Sequence, residues 1–123
     1  MIPKLETYKI RSFFNASHTI HNEPTMKGQH SHTWQVICNI RTLSNNEVSF
    51  TLLDHLLKEA LDPLEDHDLN TLPSFRNLEP NVAEVTKYIA QQLQPLLTEN
   101  QLQLVKIEVG NTPIHYYCLT FTD

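Results

Sequence analysis

Two stretches of the chain alternate apolar and polar side chains with a period of two. In residues 32–42 the even positions are mostly apolar and the odd positions polar, with Ile37 as the exception. Residues 4–20 behave alike. Because successive side chains of a strand point to opposite faces of a sheet, both stretches are predicted to be strands with one buried face. The predicted buried faces carry Tyr8, Ile10, Phe14, Ala16 and His18 in the first strand, and His30, His32, Trp34, Val36, Cys38 and Ile40 in the second.

The rest of the chain predicts two helices followed by two more strands. Leucines recur at helical spacing in "TLLDHLLKEALDPL", which Pro63 ends. A second apolar stripe follows Asn81, a helix-capping residue with Glu84 three positions later. "LQLVKIEVG" and "IHYYCLTF" are then typical of strands. The order strand, strand, helix, helix, strand, strand predicts an α+β fold, in which two helices cover one face of an antiparallel four-stranded sheet.

Length and charge narrow the classes of partner. The 123 residues predict a single domain over residues 1–123. A net charge of -5, with scattered Lys and Arg, argues against nucleic acid and against an acidic membrane surface as partners. No segment approaches the about 20 apolar residues of a membrane span, and "MIPKLETYKI" lacks the apolar core of a signal peptide. Cys38 and Cys118 lie in apolar runs and are predicted to be packing residues, so a reducing, cytoplasmic setting is expected.

Three histidines fall at adjoining ends of the first two predicted strands. His30 and His32 are two positions apart, so their side chains point to the same face. In a hairpin the end of the first strand lies beside the start of the second, which brings His18 next to them. Three neutral imidazoles with an open fourth position are typical of a catalytic zinc site. The alternative is that they are core histidines with hydrogen-bond partners, since an HxH pair also arises by chance.

Five motifs follow one another in the order and spacing of a known family. They are "FFNASHTI", "HSHTWQV", "DPLEDHDLN", "EPNVAEVTKYI" and "VKIEV". Together they resemble the 6-pyruvoyltetrahydropterin synthase and 6-carboxytetrahydropterin synthase family, whose pattern runs F-x-A-x-H, H-G-H-x-x-x-V, L-D-H-x-x-L-N, P-T-x-E-N and V-x-V-x-E. The resemblance covers nearly the whole chain, and its first two motifs are the most specific.

The resemblance implies the T-fold, an antiparallel sheet with two helices on one side, and lyase activity on a dihydroneopterin-type substrate. It also implies a zinc ion held by His18, His30 and His32, a pterin-like small molecule as ligand, and a homo-oligomer. Trimers that pair into hexamers, with active sites at subunit boundaries, are the assembly that it implies. The family's pterin-anchoring glutamate falls on Glu108, whose carboxylate can accept two hydrogen bonds from the ring. Without the resemblance, Glu108 would be interpreted as a solvated strand residue.

The candidate catalytic residues depart from the family's pattern. The family's Cys lies a few residues before the His-x-His pair, but residues 23–29 contain none. A thioether or a hydroxyl does not replace a thiolate as proton acceptor. The Asp-His dipeptide survives as Asp66 and His67, one place late, and in an ungapped alignment Glu65 and Asp66 take these positions. Glu23 is the acid of the loop, farther upstream than the glutamate that replaces the Cys in one branch of the family, and the alternative is an exposed loop acid.

Three functions are compatible with these residues. The first is a zinc-dependent pterin lyase, in which Glu23 and the Asp66–His67 pair move protons. The second is a family member that binds zinc and a pterin without synthase activity, which the departures favour. The third is zinc-assisted hydrolysis of another small molecule with His67 as base, since a fold alone does not fix the chemistry.

Overall fold

The computed structural model describes residues 2–21 and 28–122. In this part of the chain five strands and two α-helices follow one another in nearly the predicted order, with two short 3₁₀ helices, Leu69–Thr71 and Pro73–Phe75, between β3 and α2. The strands are β1 (Tyr8–Thr19), β2 (Gln29–Thr42), β3 (His67–Asp68), β4 (Leu102–Thr112) and β5 (His115–Thr120), and the helices are α1 (Phe50–Leu61) and α2 (Val82–Glu99). The predicted α+β fold is confirmed, with one strand more than expected.

β3 is the additional strand, and it lies at one edge of a five-stranded sheet. The strand order is β3-β1-β2-β4-β5. β3 runs parallel to β1, whereas the other neighbours are antiparallel. The prediction of four strands is one short because β3 has only 2 residues, too few for any periodic pattern. β3 forms by docking onto β1, where Ala16 pairs with His67 and Ser17 with Asp68.

The β1–β2 hairpin has the register that the alternation predicts. His18 pairs with His30 and Ala16 with His32, so the even positions of both strands share one face. Phe14 and Trp34 stack within this face, with 5.7 Å between their ring centroids. A slip of one residue would turn the whole set to solvent, so burial fixes the register. The buried residues of this face are Ile10, Phe14, Ala16, His18, Trp34, Val36, Cys38 and Ile40.

Both helices cover this apolar face. α1 contacts β1 and α2, and α2 contacts β4 and β5. Ser49 caps α1 by accepting a hydrogen bond from the backbone N–H of Leu52. Asn81 caps α2 by accepting one from the N–H of Glu84, as the sequence predicts. In the described chain, no helix has the length and apolar character needed to cross a membrane.

β4 changes its buried positions part-way along the strand. Val105 is the extra residue of a β-bulge between Leu104 and Lys106, opposite Asn39 and Ile40 of β2. The apolar side chains that β4 buries are Leu102 and Leu104 before the bulge and Ile107 and Val109 after it. Counted back from Ile107 and Val109, an unbroken alternation would put Val105 in the core, but Val105 is only half-buried.

Candidate metal centre and active site

His18, His30 and His32 lie together at one end of the β1–β2 hairpin. His18 is buried, and the other two are half-buried. Ring centroids are 5.0 Å apart for His18 and His32, and 6.3 Å apart for His30 and His32. Trp34 packs against the cluster, with its ring centroid 5.1 Å from that of His18 and 5.9 Å from that of His32. The structure therefore brings together the three residues that the sequence proposes as metal ligands.

One nitrogen of each ring is buried without a hydrogen-bond partner. These are the Nε2 atoms of His18, His30 and His32. In the described residues, Thr112 Oγ1 is the one other buried side-chain nitrogen or oxygen in this condition. An unpaired buried polar atom costs about 1–3 kcal/mol, so three of them in one cluster indicate a shared ligand-binding role. Core histidines with satisfied nitrogens, the alternative interpretation, would not leave three Nε2 atoms unpaired.

A hydrogen bond fixes the tautomer of His18. Its Nδ1 lies 2.9 Å from the backbone oxygen of Pro80. A carbonyl oxygen can only accept, so Nδ1 donates its proton and the lone pair of the neutral ring is on Nε2. Burial lowers the pKa of His18 against the opposing effect of this hydrogen bond, and burial with the two neighbouring imidazoles lowers the pKa of His32. Lowered pKa values favour the neutral imidazole, which is the form that binds metal ions.

The imidazoles would have to turn to bind one ion together. Among residues 2–21 and 28–122, no group of three His, Cys, Asp or Glu side chains is arranged to hold a metal as it stands. The ring planes of His18 and His32 meet at 79°, and those of His30 and His32 at 19°. Turning a side-chain torsion costs less than leaving three buried nitrogens unpaired. The donor set of three imidazoles therefore fits a zinc ion.

Asp66 and His67 lie at the sheet edge beside this cluster. β3 holds His67 next to Ala16, which pairs on its other side with His32. Asp66 and His67 are exposed, and they line a depression of about 560 Å³ together with His32 and with residues from the outer face of the hairpin, among them Ser17 and Ser31. Nδ1 of His67 donates to the backbone oxygen of Glu65 at 2.8 Å, which leaves Nε2 of the neutral ring as a proton acceptor.

A left-handed residue accounts for the shifted position of the Asp-His pair. Asp66 has a φ of 60°, a conformation that Asp adopts more readily than most residues. Its N–H donates to the backbone oxygen of Asn15 at 2.7 Å. Glu65, which takes the place of the motif's Asp in an ungapped alignment, accepts from the backbone N–H of Asn15 at 2.8 Å. The Glu65 carboxylate therefore binds the backbone of β1, and the turn at Asp66 brings His67 into β3.

Glu108 lies on the face of the sheet opposite the helices. It pairs with Ile37 of β2 and with Cys118 of β5. Its carboxylate is 3.7 Å from Nζ of Lys106, and its side chain is 22% exposed. Ile37 is five positions from His32 in the sequence, which is about 17 Å along a strand. A single chain therefore does not bring Glu108 into contact with the histidines.

The order and spacing of these residues agree with a comparison against protein families. The family model described as 6-pyruvoyl tetrahydropterin synthase matches residues 7–120. The chain belongs to this family. A search of curated proteins gives no match.

Solved structures of 6-pyruvoyl tetrahydropterin synthases share the fold. The Caenorhabditis elegans enzyme is 16% identical over 95% of this chain and 96% of that chain, with a TM-score of 0.76. The Plasmodium falciparum enzyme is 16% identical over 93% of this chain and 96% of that chain, with a TM-score of 0.69. The Plasmodium vivax enzyme, in a form with a catalytic glutamate replaced by alanine, is 13% identical over 93% of this chain and 97% of that chain, with a TM-score of 0.68.

Sequence reasoning missed three residues around the site of this synthase-family member. Pro80 orients His18, Trp34 packs against the imidazoles, and Glu65 holds the backbone of β1. Pro80 directly precedes the predicted helix cap at Asn81, which is the one sequence signal that places it near an element end. The motif alignment puts Glu65 where the family has its Asp, but nothing in the sequence shows that its carboxylate accepts from the backbone of Asn15.

The remaining candidates have different outcomes. Glu23 lies outside the described residues, so its role as a base stays a prediction from the sequence. Cys38 is buried, as predicted. The prediction for Cys118 is wrong, because its thiol is exposed on the outer face of β5 opposite Glu108. The apolar run around Cys118 does not show which of its two faces is covered, since β5 lies at the sheet edge.

Proposed function

We propose that this protein is a zinc-dependent lyase that acts on a dihydroneopterin-type substrate. The single observation that carries the proposal is the cluster of three buried, unpaired Nε2 atoms on His18, His30 and His32. Membership of the 6-pyruvoyl tetrahydropterin synthase family supports the choice of a pterin as ligand and of a lyase reaction.

The chain's own residues would divide the work between binding and proton transfer. His18, His30 and His32 would hold the zinc, and the hydrogen bond from Nδ1 of His18 to Pro80 leaves Nε2 as the donor atom of that ring. Bound there, zinc would polarise a carbonyl or hydroxyl oxygen of the substrate side chain. His67, whose Nδ1 donates to Glu65 and whose Nε2 is left as a proton acceptor, would accept or donate a proton beside Asp66.

The pterin pocket would need residues from two copies of the chain. Glu108 and the histidines lie on opposite faces of the sheet, so one chain cannot offer both to the same small ligand. A homo-oligomer in which the outer face of one copy meets the hairpin end of another would meet this requirement. Glu108 would then anchor the pterin ring by accepting hydrogen bonds from its amino group and ring N–H.

Turnover of dihydroneopterin triphosphate tests the proposal. Purified protein loaded with zinc should convert this substrate, and the same protein stripped of zinc by a chelator should not. His67→Ala should keep its zinc and lose turnover, whereas His55→Ala, on the exposed side of α1, should keep both. Zinc binding without any turnover would refute the lyase.

A family member without synthase activity is the second candidate. It is favoured by two observations: residues 23–29 contain no Cys, and the carboxylate of Glu65 is engaged by the Asn15 backbone. Under this alternative the protein binds zinc and neopterin with ordinary affinity but leaves dihydroneopterin triphosphate unchanged. The same turnover assay, with a calorimetric titration of neopterin beside it, separates the two functions.

A further inference from the structure

A side chain continues the sheet at the point where β3 ends. β3 covers Ala16 and Ser17 of β1, and the last residue of β1, Thr19, extends beyond it. The carboxamide of Asn70 takes the place of a strand there. Its Oδ1 accepts from the N–H of Thr19 at 2.8 Å, and its Nδ2 donates to the backbone oxygen of Thr19 at 3.1 Å. Both polar groups of this edge residue are thereby paired, as a strand would pair them.

Asn70 connects two parts of the candidate site. Thr19 directly follows His18, and Asn70 follows His67 by three positions. Asn70 is itself held, because its N–H donates to Oδ1 of Asp68 at 3.2 Å. The hydrogen bonds of one carboxamide therefore tie the end of the strand that carries His18 to the segment that carries His67.

The other end of the segment that carries His67 is also held by hydrogen bonds to β1. Glu65 accepts from the N–H of Asn15, and the N–H of Asp66 donates to the oxygen of Asn15. Between these contacts and those of Asn70, only the 2 residues of β3 pair with β1. So short a strand is weak by itself, so its register depends on the hydrogen bonds that flank it, which come from Glu65 and the Asp66 backbone at one end and from the Asn70 side chain at the other.

We propose that Asn70 is a positioning residue, which fixes the register between His18 and the Asp66–His67 segment by its paired hydrogen bonds to Thr19. This inference rests on the proposed function for its consequence, which is the placement of a proton-transfer group beside a metal ligand. Residues that support metal ligands typically change metal affinity by about 10–100-fold when they are removed.

Three variants test this role. Asn70→Ala removes both hydrogen bonds to Thr19. Asn70→Asp keeps an acceptor for the Thr19 N–H but places a second oxygen against the Thr19 carbonyl, so it preserves the size of the side chain while losing the donor. Asn100→Ala is the matched control, because Asn100 also donates from its side chain to a backbone oxygen, that of Leu96 at 2.8 Å, at the far end of α2.

Three measurements on the full chain are compared. Zinc affinity is measured by chelator competition, together with the visible absorption spectrum of the cobalt-loaded protein, which reports the geometry of the ligands. Hydrogen exchange of the backbone amides in residues 65–71 is measured on the zinc-free protein. Asn70→Ala and Asn70→Asp should bind zinc at least about tenfold more weakly, change the cobalt spectrum and speed the exchange of this segment. Asn100→Ala should lose comparable thermal stability and leave all three measurements unchanged.

Wild-type zinc affinity, cobalt spectrum and exchange in both Asn70 variants would overturn the inference. Equal loss of zinc affinity in Asn100→Ala would also overturn it, because a general loss of stability would then explain the effect. A wild-type protein that binds no zinc would refute the proposed function instead. Hydrogen exchange would still test the positioning role if the wild type bound no zinc. Exchange of residues 65–71 as slow in Asn70→Asp as in the wild type would count against this role, and faster exchange would support it.

Discussion

At the scale of single residues, a buried and unpaired Nε2 atom distinguishes His18, His30 and His32 from the other histidines. His30→Ala removes one of the three proposed metal donors, so we expect the purified variant to hold much less zinc than the wild type. His55→Ala is the control, since His55 is exposed on α1 and remote from the cluster. Metal analysis of both variants beside the wild type decides this. Equal zinc content in all three proteins would remove His30 from the set of ligands.

The two cysteines differ in their surroundings and should differ in reactivity. Burial raises the pKa of Cys38 to about 12, so its thiolate is scarce at neutral pH and unreachable by a reagent. Burial, with the charge of Glu108, also raises the pKa of Cys118, although this thiol is exposed. We expect a maleimide to label Cys118 slowly and Cys38 only after unfolding. Mass spectrometry of the native and unfolded protein checks this, and fast labelling of Cys38 in the native state would contradict it.

At the scale of elements, the β4–β5 hairpin depends on a glycine. A Cβ at Gly110 would meet the backbone oxygen of His115, and it would lie 3.1 Å from Cδ1 of Tyr116. Because a backbone atom cannot swing aside, Gly110→Ala should lower the free energy of unfolding by about 1–3 kcal/mol. Thr120→Ala, at the exposed end of β5, should change it much less. Denaturant unfolding of both variants measures the difference, and equal stability would contradict the steric argument.

The hairpin that carries the histidines could be predicted from the sequence because its alternation is long and one face is buried. The pairing of His18 with His30 follows from that pattern and from the short connection between the strands. β3 could not be predicted, since its two residues carry no period and its pairing with β1 is flanked by hydrogen bonds from residues outside the strand. The bulge at Val105 and the left-handed Asp66 are single-residue events that depend on contacts with neighbouring strands. These same events decide where the candidate catalytic groups lie.

At the scale of the whole molecule, the proposed role of Glu108 as pterin anchor can be tested by binding alone. Glu108→Gln would replace an acceptor with a donor opposite the amino group and ring N–H of the pterin. Leaving such donors unpaired costs about 1–3 kcal/mol, so neopterin affinity should fall about tenfold or more. His67→Ala should bind neopterin nearly as the wild type does. Calorimetric titration compares the variants, and wild-type affinity in Glu108→Gln would mean that the pterin site does not use this glutamate.

Mixed oligomers test whether one pocket takes residues from two copies. Glu108→Gln and His30→Ala subunits should each lack zinc-dependent neopterin binding when assembled alone. Suppose that a pocket takes its histidines from one copy and Glu108 from its neighbour. Unfolding equal amounts of the two variants and refolding them together should then regenerate about a quarter of the wild-type sites. About half of the pockets would receive intact histidines, and about half of those would also receive an intact Glu108. If both groups came from one chain, the mixture would regenerate none.

The control for this experiment is a protein that carries both substitutions, mixed in equal amounts with wild type. Sites built across a boundary should again number about a quarter of those in the wild type, whereas sites within one chain should number about half, since every wild-type chain would then keep its own. Sites across a boundary thus predict about a quarter of the wild-type sites in both mixtures. Sites within one chain predict none in the first mixture and about half in the second, so the two arrangements are separated without a turnover assay. Because Glu108 and the histidines lie on opposite faces of the sheet, we expect about a quarter of the wild-type sites in both mixtures.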